Sequence, residues 1–510
     1  MKSAKDLTFG TDGWRDVISD GFTFANVRIV AQAIAEYLLK QARNEVQIPL
    51  ECGGRPENPL SVVVGYDTRF LSERYAREIA CVLAGNGLSV HLTSSFCTSP
   101  VLSFSVKMLR AGGGVMVTAS HNPPEYNGIK FKGYYGGSAL PVMSSEIERI
   151  ARENSRLEKE PEFLPFKEAV STNRIFLFDP RPDYLADISR ILDVEALKNL
   201  KGRIVFDPMF GAASGLVEAF FSRHKITSVQ VDIIRGDRNP WFGGVNPEPI
   251  RKNLDALVDR VQSSGARAGF AFDGDADRAG AVDEKGNFVD SHRLFGLILV
   301  HLCRNRGWRG AVAKTFSTTM MVNKIAASCG LEVIETPIGF RHICNLMVGG
   351  DVLIGGEESG GIGIKNHIPE RDGVLTSLLV LEMMGRTGKS LSALVEDLLS
   401  EFGPHYYERE DVNIDGIKMT DVREALRRAF GALKESSAAR KGFGQNSIPI
   451  SDIKDLDGYK ILFNDSSWIL FRPSGTEPVL RVYAEASTPE EVKNLLSDGR
   501  AFLESILPKG

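Results

Sequence analysis

Gly269-Phe270-Ala271-Phe272-Asp273-Gly274-Asp275-Ala276-Asp277-Arg278 passes from an apolar strand into a turn carrying three carboxylates. The same succession of strand, aspartate and polar turn recurs at Val62-Val63-Val64-Gly65-Tyr66-Asp67 and at Arg203-Ile204-Val205-Phe206-Asp207-Pro208. A recurring unit of this kind predicts several related α/β domains. Continuous apolar runs separated by helical stretches read as parallel strands buried on both faces. Ligands of open α/β sheets collect beyond the carboxyl ends of strands, where these aspartates fall.

Working outward, Phe24 to Ala42 places Val27, Val30, Ala31, Ile34 and Leu38 on one helical face, and Ser72 to Ala84 reads as a second helix stopping near Gly85 and Gly87. Further strands are expected at Gly114 to Thr118, Ala268 to Phe272 and Ala311 to Ala313. Ser145-x-x-Glu148 and Thr488-Pro489-Glu490-Glu491 both read as capping boxes that open helices. Linkers are expected in Glu153 to Glu168, Arg304 to Gly310 and Glu401 to Glu410, with an exposed loop at Glu435 to Ser447.

The 510 residues suggest three or four domains at about 150 residues each. A charged fraction of 25% beside 43% hydrophobic residues excludes wholesale disorder. The formal charge of −4 offers no global attraction for nucleic acid or anionic membrane. Six scattered cysteines without a C-x-x-C pair argue against a disulfide framework or a zinc ribbon. No stretch reaches the roughly 18 apolar residues of a membrane helix, the best being Leu294 to Cys303. Met1 to Arg15 lacks the apolar core of a secretory signal, so a cytoplasmic protein is expected.

Four loops carry chemistry. Thr118-Ala119-Ser120-His121-Asn122-Pro123-Pro124 follows a strand, placing Ser120 as a candidate nucleophile; an isolated serine there would more often be a turn residue. No G-x-S-x-G occurs, so a hydrolase elbow is unsupported. Lys130 follows in Asn127-Gly128-Ile129-Lys130. Asp273, Asp275 and Asp277 can converge on one hard cation, with Mg²⁺ favoured because it completes its shell with phosphate and water oxygens. Arg278 stands where an EF-hand needs glycine, which excludes that reading. Gly355-Gly356-Glu357-Glu358-Ser359-Gly360-Gly361 could read vicinal sugar hydroxyls, and the polar run Asn366 to Gly373, with Arg371, follows it. Arg472-Pro473-Ser474-Gly475-Thr476-Glu477-Pro478 has the makings of a phosphate cradle. Gly385 to Ser390 imitates a nucleotide P-loop but lacks its first glycine at Met383.

Taken in order, TASHNP, DGDADR, GEESGG and RPSGTEP resemble the four active-site loops of the α-D-phosphohexomutases, a resemblance that begins at Phe9-Gly10-Thr11-Asp12-Gly13-Trp14-Arg15. It implies four domains around a central cleft: three α/β domains with mixed sheets, here 1–165, 166–303 and 304–405, and a smaller C-terminal α+β phosphate-binding domain, 406–510. It implies that Ser120 is a phosphoserine and that Asp273, Asp275 and Asp277 hold Mg²⁺ together with the Ser120 phosphate. Glu357 and Ser359 would contact sugar hydroxyls, with Arg371 also on the substrate. Arg472, Ser474, Gly475 and Thr476 would grip the non-reacting phosphate, and Arg15, His121, Lys130 and Arg278 would serve catalysis.

GEESGG followed by HIPERDG, and Thr336-Pro337-Ile338-Gly339-Phe340-Arg341, are similar to the phosphoglucomutase versions of these runs, with Arg341 in place of the usual lysine. The expected reaction interconverts glucose 1-phosphate and glucose 6-phosphate through glucose 1,6-bisphosphate. Phosphomannomutase, phosphopentomutase and sugar-bisphosphate synthase are the enzyme alternatives, and a non-catalytic sugar-phosphate binder is the other class. A hexose phosphate is the expected partner, with no nucleic acid and no membrane, in a monomer or homodimer.

Overall fold

In each of the three α/β regions a buried strand runs into a polar turn and returns as an antiparallel strand. Ala111–Val117 returns as Tyr126–Gly133, Ala268–Phe272 as Ala279–Asp283, and Val352–Gly356 as Ile362–Ile364. The three turns contain Ser120, the aspartate triplet and Glu357, so the recurring unit read in the sequence is a recurring way of presenting a loop. The structure is a computed structural model describing residues 7, 9–10, 13–46, 54–414, 416–435, 443–444, 448–474 and 479–507. The architecture is α/β, with three α/β regions followed by an antiparallel α+β domain. Residues 1–313 and 339–395 form one unit, and residues 314–338 and 396–510 form a second.

In the first unit, a six-stranded mixed sheet has the order Trp14–Val17, Tyr126–Gly133, Ala111–Val117, Asn58–Tyr66, Ser89–Thr93, Ile175–Phe178. Its last four strands are parallel and the first two antiparallel to their neighbours. A five-stranded sheet repeats the scheme, with Gly202–Asp207, Val229–Ile233 and Ala268–Phe272 parallel and Ala279–Asp283 and Phe288–Val289 antiparallel. Asp67, Asp207 and Asp273 therefore stand at the ends of parallel strands. The helix Phe24–Ala42 buries the five residues its periodicity selected, and Thr23 caps it by accepting from the Asn26 N–H. Trp14, Phe22 and Tyr75 pack ring against ring beside it.

One helix start differs from the sequence reading. Ser145 and Glu148 lie inside the helix Pro141–Arg156, whose N-cap is Leu140. Proline at the first position, with its fixed φ and missing donor, starts the helix a turn earlier than a local capping pattern suggests. The box at Thr488 and Glu491 is present in both its hydrogen bonds and opens the helix Pro489–Ile506.

In the second unit, a five-stranded antiparallel sheet has the order Tyr406–Asn413, Val479–Ala486, Trp468–Pro473, Tyr459–Phe463, Ile450–Lys454. Strand alternation divides its faces. Ile469, Phe471 and Val482 pack under the helices Met419–Glu435 and Pro489–Ile506, while Trp468, Leu470 and Tyr483 pack against Phe316. The predicted loop at Glu435 to Ser447 lies mostly outside the described residues. Among those described, no helix is long and apolar enough to cross a membrane. Cys81, Cys97 and Cys344 are buried and outside any disulfide, whereas Cys303 and Cys329 are disulfide-bonded, which their scattered spacing did not signal.

Candidate active site

The strand Ala111–Val117 is buried along its whole length and delivers Ser120 to the end of the sheet. Ser120 takes a left-handed backbone, φ +52°, which is uncommon for a residue with a Cβ. Its N–H donates to Thr118 Oγ1 at 2.9 Å, and its Oγ donates to Asp273 Oδ2 at 2.7 Å. The two turns meet backbone to backbone: a Cβ on Gly274 would lie 2.5 Å from the Ser120 carbonyl oxygen. Glycine is required at that crossing because nothing larger fits.

Asp273, Asp275 and Asp277 are buried, and one oxygen from each falls within 4.8 Å of the others. Three carboxylates this close repel one another, and the surroundings answer with cations. Lys130 Nζ lies 2.9 Å from Asp275 Oδ2 and 3.1 Å from Asp277 Oδ2, and Arg371 Nη2 lies 2.6 Å from Asp277 Oδ2. The Arg278 N–H donates to Asp273 Oδ1 at 3.1 Å, and Ser99 Oγ donates to Asp275 Oδ2 at 2.5 Å. Burial, followed by repulsion from Asp277 and Asp275, holds the Asp273 pKa well above the usual carboxylate range. At Asp277 burial pulls the same way, but Arg371, Lys130 and Arg278 outweigh it and hold the pKa well below that range.

Asp275 Oδ1 and Asp277 Oδ1 are buried without a hydrogen-bond partner. Buried carboxylate oxygens left unspent, on a set of hard oxygen donors, fit a divalent cation such as Mg²⁺.

Arg371 joins this cluster to the third turn. Its Nη1 donates to Glu357 Oε2 at 3.2 Å, while a Cβ on Gly361 would lie 2.1 Å from its Cδ. Behind it, Lys132 Nζ and Ser138 Oγ both donate to Glu370 Oε2, at 2.6 and 2.8 Å, in a fully buried pair. Ser359 is half-buried on the same turn as Glu357. Burial raises the Glu357 pKa from 4.5 to about 7 although Arg371 opposes it.

That shift sets a pH dependence. Between those two values the folded chain keeps a proton that the unfolded chain has released, so stability is lost as pH rises through about 7. Urea denaturation of Glu357→Gln should show the variant gaining on the wild type from pH 5 to pH 8, conditions that bracket the shifted value. Parallel stability profiles for the two proteins would contradict the assignment.

His121 is held neutral, its pKa well below the usual histidine value through burial and the nearby Arg278 and Arg15. Its Nδ1 is buried without a hydrogen-bond partner. Arg15 Nη1 donates to Asn122 Oδ1 at 2.7 Å on the serine turn. The first unit thus brings together Ser120, His121, Lys130, Arg15, the three aspartates, Arg278, Glu357 and Arg371. Arg472 and Ser474 belong to the second unit, where Arg472 Nε pairs with Asp457 Oδ2 at 3.0 Å and the Ser474 N–H donates to the Val479 carbonyl. Gly475 and Thr476 lie outside the described residues.

Three side chains of the first unit escaped sequence reading: Arg69, whose guanidinium donates to three carbonyls of the serine turn and to that of Tyr126 at the start of the returning strand, Ser99 on Asp275, and Lys132 behind Arg371. Arg69 follows directly on the strand–aspartate unit at Asp67, the one signal available for it. Ser99 and Lys132 carry none.

Models of the phosphoglucomutase/phosphomannomutase domains match the chain in succession: α/β/α domain I over residues 6–158, domain II over 182–286, domain III over 290–402 and the C-terminal domain over 418–500. The chain belongs to the α-D-phosphohexomutase family, enzymes that act as phosphosugar mutases. Among its relatives, a phosphoglucomutase/phosphomannomutase of Thermococcus kodakarensis is 30% identical, covering 98% of this chain and 99% of the relative. A protein of Thermococcus gammatolerans, provisionally named a phosphoglucosamine mutase, is 32% identical over 97% and 98% of the two chains. A crystal structure provisionally named a phosphomannomutase, from Thermus thermophilus, superposes with a TM-score of 0.80 at 35% identity, over 98% of this chain and 99% of that one.

Proposed function

We propose that the protein interconverts the 1- and 6-phosphates of a hexose, with glucose phosphates as its substrates, through a phosphorylated Ser120 and a glucose 1,6-bisphosphate intermediate. The observation that carries this reading is the 2.7 Å approach of Ser120 Oγ to Asp273, inside a triplet of buried carboxylates with unspent oxygens.

Phosphoryl transfer depends on positioning and charge neutralisation. Asp273, Asp275 and Asp277 would hold Mg²⁺, which when bound supplies Lewis-acid neutralisation of the phosphoryl oxygens. Lys130 and Arg278 add positive charge on the same side. His121, neutral and with Nδ1 unspent, is better suited than Lys130 to accept the sugar hydroxyl proton, because Lys130 Nζ is committed to Asp275 and Asp277. Glu357 and Ser359 would orient sugar hydroxyls, and Arg371 ties Glu357 to Asp277. Arg472, Ser474, Gly475 and Thr476 would receive the phosphate that is not transferred.

The names of relatives favour a second reading of the sugar, since several are named for glucosamine phosphate. A coupled assay with glucose 1-phosphate, Mg²⁺ and trace glucose 1,6-bisphosphate should yield glucose 6-phosphate, and none at any enzyme level would reject the proposal. Comparison of kcat/KM with mannose and glucosamine 1-phosphates decides between the sugars, glucose being expected highest.

A further inference from the structure

We infer that Arg69 is a positioning residue for Ser120: it fixes the backbone of the serine turn, and through it the line along which Oγ meets a phosphoryl group. The inference rests on the reading of Ser120 as the phosphoryl carrier.

The side chain of Arg69 is fully buried. Nη2 donates to the carbonyls of Ser120 at 2.7 Å and Asn122 at 2.6 Å, and Nη1 to those of Pro123 at 2.8 Å and Tyr126 at 3.0 Å. Three of the four acceptors lie in the single turn that links Ala111–Val117 to its returning strand, and the fourth, Tyr126, is the first residue of that strand. Its Nε lies 3.3 Å from Asp67 Oδ2, and the Phe242 ring covers the guanidinium at 4.9 Å. Asp67 is anchored in turn by the Arg69 N–H at 3.0 Å and by Ser72 Oγ at 2.7 Å.

Two features make this more than a buried ion pair. The charge is spent on backbone carbonyls, which a guanidinium satisfies in a planar fork and an ammonium does not. The fork also grips the carbonyl of the residue whose φ is +52°, a conformation that is costly for a residue with a Cβ and needs outside support. The turn's own hydrogen bonds are local ones: Ser120 N–H to Thr118 Oγ1 at 2.9 Å, Asn122 N–H to the Ala119 carbonyl at 3.0 Å and Tyr126 N–H to the Pro123 carbonyl at 3.1 Å. Arg69 has no described hydrogen bond to the triplet or the sugar-reading turn but does act electrostatically on Asp275 and Asp273; Arg69→Lys keeps that charge, so a loss in that variant reports the placement of Ser120.

The test compares Arg69→Lys and Arg69→Ala with the wild type, in kinetics per folded molecule and in amide hydrogen exchange over residues 118–128. Both variants should lose about 100-fold in kcat, the cost of a reacting atom displaced by about 1 Å, with KM for glucose 1-phosphate unchanged. Exchange should accelerate in that turn and stay unchanged in the remaining sheet, and low millimolar guanidinium should restore part of the turnover of Arg69→Ala. Wild-type turnover in Arg69→Lys, a loss that matches only the unfolded fraction, or unchanged exchange in the turn would each overturn the inference. A variant that fails to fold leaves Arg69→Lys to decide. A wild type without mutase activity would defeat the phosphoserine reading instead, and the exchange measurement would still decide whether Arg69 holds the turn.

Discussion

Ser120→Ala should eliminate turnover while leaving the protein folded. The substitution removes one atom, the Oγ that donates to Asp273. The contacts that shape the turn run through backbone atoms instead: the Ser120 carbonyl to Arg69 and the Ser120 N–H to Thr118. Alanine meets the same cost as serine at φ +52°, so denaturant midpoints should barely move. Activity should fall by at least about 10⁴-fold, the scale on which an enzyme loses rate when its nucleophile is deleted. Intact-mass measurement after incubation with glucose 1,6-bisphosphate should find one added phosphoryl group on the wild type and none on the variant. A variant that still acquires the group, or that keeps a few per cent of wild-type turnover, would show that another side chain carries it.

The contrast between Ser120 and Arg69 also marks what could be read from the sequence. Ser120, the aspartate triplet and Glu357 were legible because each sits in a short run whose chemistry is local: a hydroxyl after a strand, carboxylates at alternate positions, acids among glycines. The parallel strands were legible for a similar reason, since burial on both faces leaves a continuous apolar run at Val62–Val64 and Ala268–Phe272. Arg69 had only its place after Asp67 to mark it, and Ser99 and Lys132 had nothing, because the partners of the three lie 51, 176 and 238 residues away. The necessity of Gly274 was hidden likewise, since the Ser120 carbonyl it must clear comes from another strand–turn–strand unit. At Ser145 the local pattern misled, because a capping box is a statement about four residues and Pro141 had already fixed the start of the helix. The antiparallel return strands were also missed as a repeat, since period and composition do not reveal pairing direction.

Asp275→Ala should cost about 10³-fold in kcat, because losing one of three carboxylates from the candidate cation site forfeits several kcal/mol of charge stabilisation, at 1.36 kcal/mol per decade. The surroundings make this a clean test of the site. Asp275 Oδ2 is committed to Ser99 and Lys130, whereas Oδ1 is buried with no partner. If that free oxygen existed only to be tolerated, deleting it would relieve repulsion from Asp273 and Asp277 and would leave turnover alone. Lys130 would keep Asp277 as its partner, so the fold should survive without an ion. Any ligand that binds only the folded state raises its melting temperature by mass action. Added Mg²⁺ should therefore raise the Tm of the wild type and leave that of Asp275→Ala in place, while Asp275→Asn, which preserves an acceptor for Ser99, should fail in the same manner as alanine. An alanine variant that still shows a wild-type Mg²⁺-dependent Tm rise would remove Asp275 from the cation site, and undiminished turnover would remove the triplet from the reaction.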